Sequence, residues 1–120
     1  MKLLSRWFRH APTAPSWIEP AALATRIERD DTMLILDVRG PDEFTGPLGH
    51  IREATNMPLT ELPAHLPALV RENRPVVVVC KTDRRSSIAA QQLQEAGLLD
   101  VSVLRGGMER WRVLGLPATG

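Results

Sequence analysis

Four consecutive β-branched residues, Val76-Val77-Val78-Val79, constrain the fold of this chain more than any other feature. A strand with one face in water alternates apolar and polar residues, so an unbroken valine run belongs to a strand covered on both faces. That strand delivers Cys80, the one cysteine of the chain, to its C-terminal end. A short polar loop follows, Lys81-Thr82-Asp83-Arg84-Arg85, and the apolar spacing predicts a helix opening at Ser86 or Ser87. In open α/β sheets, ligands and reactive groups lie in the crevice beyond the strand ends. A thiol there faces a helix N-terminus and the cations Lys81, Arg84 and Arg85, and both influences favour thiolate over thiol. Free cysteine is usually a buried packing residue. Here the context points instead to a reactive sulfur.

The remaining chain supplies elements for a sheet of this kind. Trp17-Ile18 reads as a very short first strand, and Pro20 begins a helix running to about Arg29 with Leu23 and Ile27 on one face. Met33 to Val38 is a second buried strand that carries Asp37 and Arg39 to its end, and Asp42-Glu43-Phe44 forms a single helical turn. Ala54 to Met57 is a short strand stopped by Pro58. Leu62, Leu66 and Leu69 have helical spacing, but Pro63 and Pro67 predict a short or broken helix. Ser87 to Ala96 is a helix with Ile88 and Leu93 inward and Gly97 as its left-handed cap. Val101 to Leu104 is the last strand, and Gly106-Gly107 turns the chain into a helix over Met108 to Leu114. Strands alternating with helices predict an α/β fold with a central parallel sheet covered on both faces.

With 120 residues the chain has the length of one domain, and a net charge of +1 predicts no special affinity for nucleic acid or anionic membrane. A lone cysteine excludes an internal disulfide and a cysteine-rich metal site, and it fits a reducing, cytoplasmic setting. His10, His50 and His65 lack ligand spacing, so no metal is expected. No stretch approaches the roughly 18 apolar residues of an integral membrane helix. The expected division is a basic, aromatic arm and proline-containing linker over 1–16, then one domain over 17–120. On a helix, Leu3, Leu4, Trp7 and Phe8 of the arm share a face opposite Lys2, Arg6 and Arg9. That suits a docking helix, an arm folded on its own domain, or a tail.

Five groups of residues in chain order resemble the single-domain rhodaneses, a sulfurtransferase family. They are Leu36-Asp37-Val38-Arg39 followed by Glu43-Phe44; Gly49-His50-Ile51 with Ala54, Asn56 and Pro58; Val79-Cys80 with Arg85-Ser86; Leu104-Arg105-Gly106-Gly107; and Trp111 with Gly115-Leu116-Pro117. The resemblance spans roughly Trp17 to Pro117 and implies a rhodanese-like fold. It also implies that Cys80 accepts sulfane sulfur, carries it as a persulfide and passes it on, by covalent catalysis in two displacements. The implied partners are a small anionic or persulfide sulfur donor and a thiol or sulfur-carrier protein as acceptor. No cofactor is implied.

Within that resemblance, Lys81, Thr82, Asp83, Arg84, Arg85 and Ser86 form the substrate-binding loop around Cys80. Their backbone N–H groups would make an anion-binding nest, and the three cations would attract a donor such as thiosulfate. Phosphatases resembling this fold use Cys-x5-Arg; Cys80 to Arg85 is Cys-x4-Arg, one residue tighter and better matched to a single sulfur. The family loop usually carries glycine where Asp83 stands. Aspartate tolerates the left-handed backbone conformation, but its carboxylate opposes the attraction of anions unless it pairs with Arg84 or Arg85. Asp37, Arg39 and Glu43 are expected as scaffold, with Arg85 bonded to Asp37 or Glu43 as an alternative to binding substrate. His50 is expected to fix its loop, Trp111 to pack in the core or crevice wall, and Met108 to line the pocket mouth. Two other classes remain open: a non-enzymatic sulfur carrier or interaction module, and a phosphatase or arsenate reductase.

Overall fold

The computed structural model of the chain describes residues 14–120. The basic, aromatic segment of the expected arm lies outside them. Five strands form one all-parallel sheet: β1 (Ser16–Ile18), β2 (Leu34–Asp37), β3 (Thr55–Asn56), β4 (Val76–Val79) and β5 (Val101–Leu104), in the spatial order β1-β5-β4-β2-β3. The valine strand is the middle one, paired with β2 through Leu36↔Val78 and with β5 through Val78↔Val103. All four valines are buried, as both-face burial requires.

The pleat divides the core in two. Leu36, Val76, Val78, Val101 and Val103 face α3 (Leu62–Glu72) and α4 (Arg84–Ala96), meeting Leu62, Leu69, Ala89, Ala90 and Leu93. On the opposite face, Ile35, Val77, Val79 and Leu104 meet Leu23 of α1 (Pro20–Glu28) and Met108 and Trp111 of α5 (Gly107–Val113). A single turn, α2 (Pro41–Phe44), follows β2. Among the described residues, no helix is long and apolar enough to cross a membrane.

Three expectations are corrected. The prolines do not break α3, which runs 11 residues after a 3-10 turn at Leu59–Glu61. Pro63 lies in the first turn, where its missing N–H has no intrahelical acceptor, whereas Pro67 is interior. An interior proline costs about 3 kcal/mol, and burying the Leu62 and Leu69 side chains at roughly 1.5–3 kcal/mol each offsets it. Second, α4 begins at Arg84 rather than at Ser86 or Ser87, because its first turn has no apolar residue to signal the start. Third, Ile88 is 44% exposed. The inward face is Ser86, Ala89, Ala90 and Leu93, whose small members bring α4 close to the sheet.

Candidate active site

Parallel strands place their C-terminal ends together, so Asp37, ending β2, lies opposite Val79, and Cys80 follows one residue on. Behind the loop is a buried ion pair. Asp37 is 0% and Arg39 is 1% exposed, and the Arg39 guanidinium grips the carboxylate in a fork: Nε donates to Oδ1 at 2.9 Å and Nη2 to Oδ2 at 2.8 Å. Arg39 also donates to the Gly49 carbonyl at 2.7 Å and the Glu43 carbonyl at 3.2 Å. One side chain thereby ties β2 to the 43–49 loop. The same loop is closed by His50, whose Nδ1 lies 2.7 Å from the Phe44 carbonyl and whose ring stacks on Phe44 at 3.6 Å. His50 fixes its loop, as expected.

Glu43, so positioned, reaches the other loop. Arg85 donates to both its carboxylate oxygens, at 2.7 and 2.9 Å. The hydrogen-bonded guanidinium holds the Glu43 carboxyl down at about 2, against the opposing effect of partial burial and with help from the Gly40 amide. Glu43 in turn pushes Arg85 further up. Of the two partners expected for Arg85, the structure selects Glu43; Asp37 is taken by Arg39.

The cysteine loop is held from behind by its carbonyls. Met108 N donates to the Cys80 carbonyl at 2.9 Å and Glu109 N to the Lys81 carbonyl at 3.0 Å. Such closeness requires glycine at the start of α5: Gly107 has φ +56°, and a Cβ there would collide with the backbone of Cys80, Lys81 and Thr82. The double glycine thus permits close backbone approach. By contrast, the N–H groups of Lys81 to Ser86 donate to no protein acceptor among the described residues. Six amides in succession before and within the first turn of a helix form a cradle suited to an anion.

Cys80 lies inside this loop, 1% exposed, its Sγ 3.2 Å from the hydroxyl of Ser86, itself fully buried. With the sulfur protonated, the thiol donates to Oγ; with the sulfur ionised, the rotatable hydroxyl can donate to it. Outside lies a pocket of about 380 Å³ lined by Arg39, Glu43, Pro47, Leu48, Lys81 and Glu109.

Several details differ from expectation. Asp83 stands at the N-cap position of α4 with φ −150° and ψ 2° and no side-chain capping bond, so no left-handed tolerance is called upon. Its carbonyl accepts from the Ser87 hydroxyl at 2.6 Å, and its carboxylate forms no ion pair among the described residues. Lys81 pairs with Glu109 at 3.8 Å. Thr82 and Arg84 are exposed. Met108 is wholly buried beneath the sheet instead of lining the mouth, because its N–H contact to Cys80 turns the start of α5 inward. Trp111 is core, donating from Nε1 to the Pro117 carbonyl at 2.8 Å. Sequence reasoning missed Glu109, Pro47 and Leu48. Nothing in their spacing marks them, since their place at the mouth comes from how α5 and the 43–49 loop fold over the cysteine loop.

The family model of the rhodanese-like domain matches residues 19–113. The chain belongs to the rhodanese-like family. It is 38% identical over 93 residues to the uncharacterized protein slr1261 of Synechocystis sp., covering 77% of this chain and spanning 50% of that protein's length. A sulfurtransferase of Allochromatium vinosum is 31% identical over 100 residues, covering 83% of this chain and 91% of that protein. The thiosulfate sulfurtransferase GlpE of Shewanella oneidensis is 40% identical over 77 residues, with 64% and 73% covered. The fold matches the crystal structure of a rhodanese-related protein from Thermoplasma volcanium with TM-score 0.75 and 30% identity, over 87% of this chain and 97% of that one. Rhodanese-like relatives named as sulfurtransferases therefore extend over most of the domain.

Proposed function

We propose that this rhodanese-like domain is a sulfurtransferase that moves sulfane sulfur from a donor to a thiol or other nucleophilic acceptor through a persulfide on Cys80. The observation that carries the reading is the surroundings of the sulfur: a buried Sγ beside the Ser86 hydroxyl, within a loop whose six amides from Lys81 to Ser86 have no protein acceptor. The sulfurtransferase names of relatives at 31% and 40% identity support the same chemistry.

In the first displacement the Cys80 thiolate attacks the outer sulfur of the donor. A new S–S bond forms, the donor's own S–S bond breaks, and its electron pair leaves with the departing thiolate or sulfite. In the second, the acceptor attacks the terminal sulfur, and Cys80 leaves as thiolate. The amide cradle stabilises the anionic terminal sulfur between the two steps, and the Ser86 hydroxyl stabilises the Cys80 sulfur when it bears the charge. Asp37, Arg39, Glu43 and Arg85 do not touch the sulfur; they hold the loop in shape. The four-residue spacer between Cys80 and Arg85, one shorter than in the phosphatase loops that resemble this one, supports sulfur over a phosphoryl group as the cargo.

Intact mass spectrometry after incubation with a sulfane donor tests this. The wild type should gain about 32 Da, lose it on cyanide treatment, and show no gain as Cys80→Ser. Ser86→Ala should slow loading by roughly tenfold or more, the value of a hydrogen bond to a charged group. Absence of any gain from thiosulfate and from an organic persulfide alike would refute the reading.

A further inference from the structure

The cations that flank Cys80 in the sequence suggest a site for small dianions, but in the structure two of the three, and Arg39 beside them, face carboxylates. Arg39 is taken by Asp37, Arg85 by Glu43 and Lys81 by Glu109. The remaining cation of the loop, Arg84, has Asp83 as its immediate neighbour, and neither enters an ion pair among the described residues. The pocket lining thus carries Arg39 and Lys81 against Glu43 and Glu109, two charges of each sign, and the cysteine loop beside it adds Arg84 and Asp83. Apolar Pro47 and Leu48 complete the pocket wall beside these two pairs of opposite charges. Glu43 stays ionised at any working pH because Arg85 holds its carboxyl down at about 2.

From this charge balance we infer that the mouth selects against dianionic donors and favours an organic persulfide of low charge, with Glu109 and Asp83 as the specificity-determining residues. This rests on the Cys80 sulfurtransferase reading above. The physical division is between an inner and an outer zone. The free amides inside stabilise the single negative charge of a terminal sulfur. The outer zone decides what approaches, and there thiosulfate must bring two negative charges past Glu43 and Glu109, where Arg39, Lys81 and Arg85 each already face a carboxylate and Arg84 is offset only by the adjacent Asp83. An organic persulfide brings less charge and an alkyl stem that Pro47 and Leu48 can contact. Its transfer balances: the Cys80 thiolate attacks the outer sulfur of R–S–SH, giving Cys80–S–SH and releasing R–S⁻ with the electron pair of the broken S–S bond.

The experiment measures loading rates with thiosulfate and with cysteine persulfide in the wild type, in Glu109→Gln and in Glu109→Gln/Asp83→Asn, at low and at physiological salt. Taking the ratio of the two rates within each variant cancels intrinsic differences in donor reactivity. The thiosulfate-to-persulfide ratio should rise about three- to tenfold for each carboxylate removed, the size expected for a screened charge acting on a dianion at this range. Thiosulfate loading of the wild type should be nearly flat with salt, whereas that of the double variant should fall as salt screens its newly positive mouth. A ratio that does not move, or wild-type thiosulfate loading that falls steeply with salt, would overturn the donor assignment while leaving the Cys80 persulfide intact. Loading by neither donor in any variant would overturn both.

Discussion

Arg39→Met is the sharpest test of how the site is supported. The substitution keeps much of the side-chain volume but removes the fork that holds Asp37, in a pair whose members are 1% and 0% exposed. Breaking a buried ion pair from one side strands the remaining charge and costs about 3–5 kcal/mol. The Gly49 carbonyl, which accepts from Arg39 at 2.7 Å, loses its donor as well and adds about 1 kcal/mol. A loss of about 5 kcal/mol corresponds to a fall in Tm of roughly 20 °C for a domain of this size. Urea unfolding followed by tryptophan fluorescence, with Trp111 as buried reporter, measures it. Two companions make the result interpretable even if Arg39→Met barely folds. Arg39→Lys keeps a charge without the fork and should lose less. Asp37→Leu/Arg39→Met removes both charges and should recover much of the loss, since an apolar pair can replace a buried ionic one. A loss below about 1.5 kcal/mol for Arg39→Met, or a double variant no more stable than the single, would refute the claim that an uncompensated buried carboxylate sets the cost.

Two further outcomes follow from the same geometry. Gly107→Ala places a methyl group at φ +56° against the backbone of Cys80, Lys81 and Thr82, so it should cost about 2–4 kcal/mol in urea unfolding and reduce sulfur loading; unchanged stability would contradict the close approach. The Glu43 carboxyl, held at about 2 in the folded protein against an ordinary 4.5, contributes stability that is present above pH 4.5 and lost as pH falls through about 2. The stability gap between wild type and Glu43→Gln should therefore be widest above pH 4.5 and close below it. Because the Glu43 and Arg85 side chains are 39% and 35% exposed, the gap is about 1 kcal/mol rather than the full value of the shift. A gap that widens on acidification would refute the linkage.

Much of the architecture was legible because it depends on short-range pattern. The valine run marked the central strand, Pro20 a helix start, and Gly97 a helix end, and each is local chemistry acting on its own backbone. The uninterrupted α3 was not legible, since proline's local penalty is visible in a sequence whereas the sheet that Leu62 and Leu69 pack on is not. Ile88 misled for a related reason. Hydrophobicity suggests which residues want burial, but the close approach of α4 to the sheet gave the inner face to alanine and serine.

For the site, the sequence by itself determined the order of the parts: a buried strand, a cysteine at its end, a four-residue spacer before Arg85, and a helix behind. Those follow from covalent connection and backbone preference. It also displayed three cations in the loop, and their charge could be counted but not their company. Only the tertiary structure decided that Arg85 faces Glu43, 42 residues away, that Lys81 faces Glu109, and that Arg39 closes on Asp37. Electrostatic energy depends on distance in space rather than along the chain, so two of the three cations that read as free in the sequence face a carboxylate in the fold.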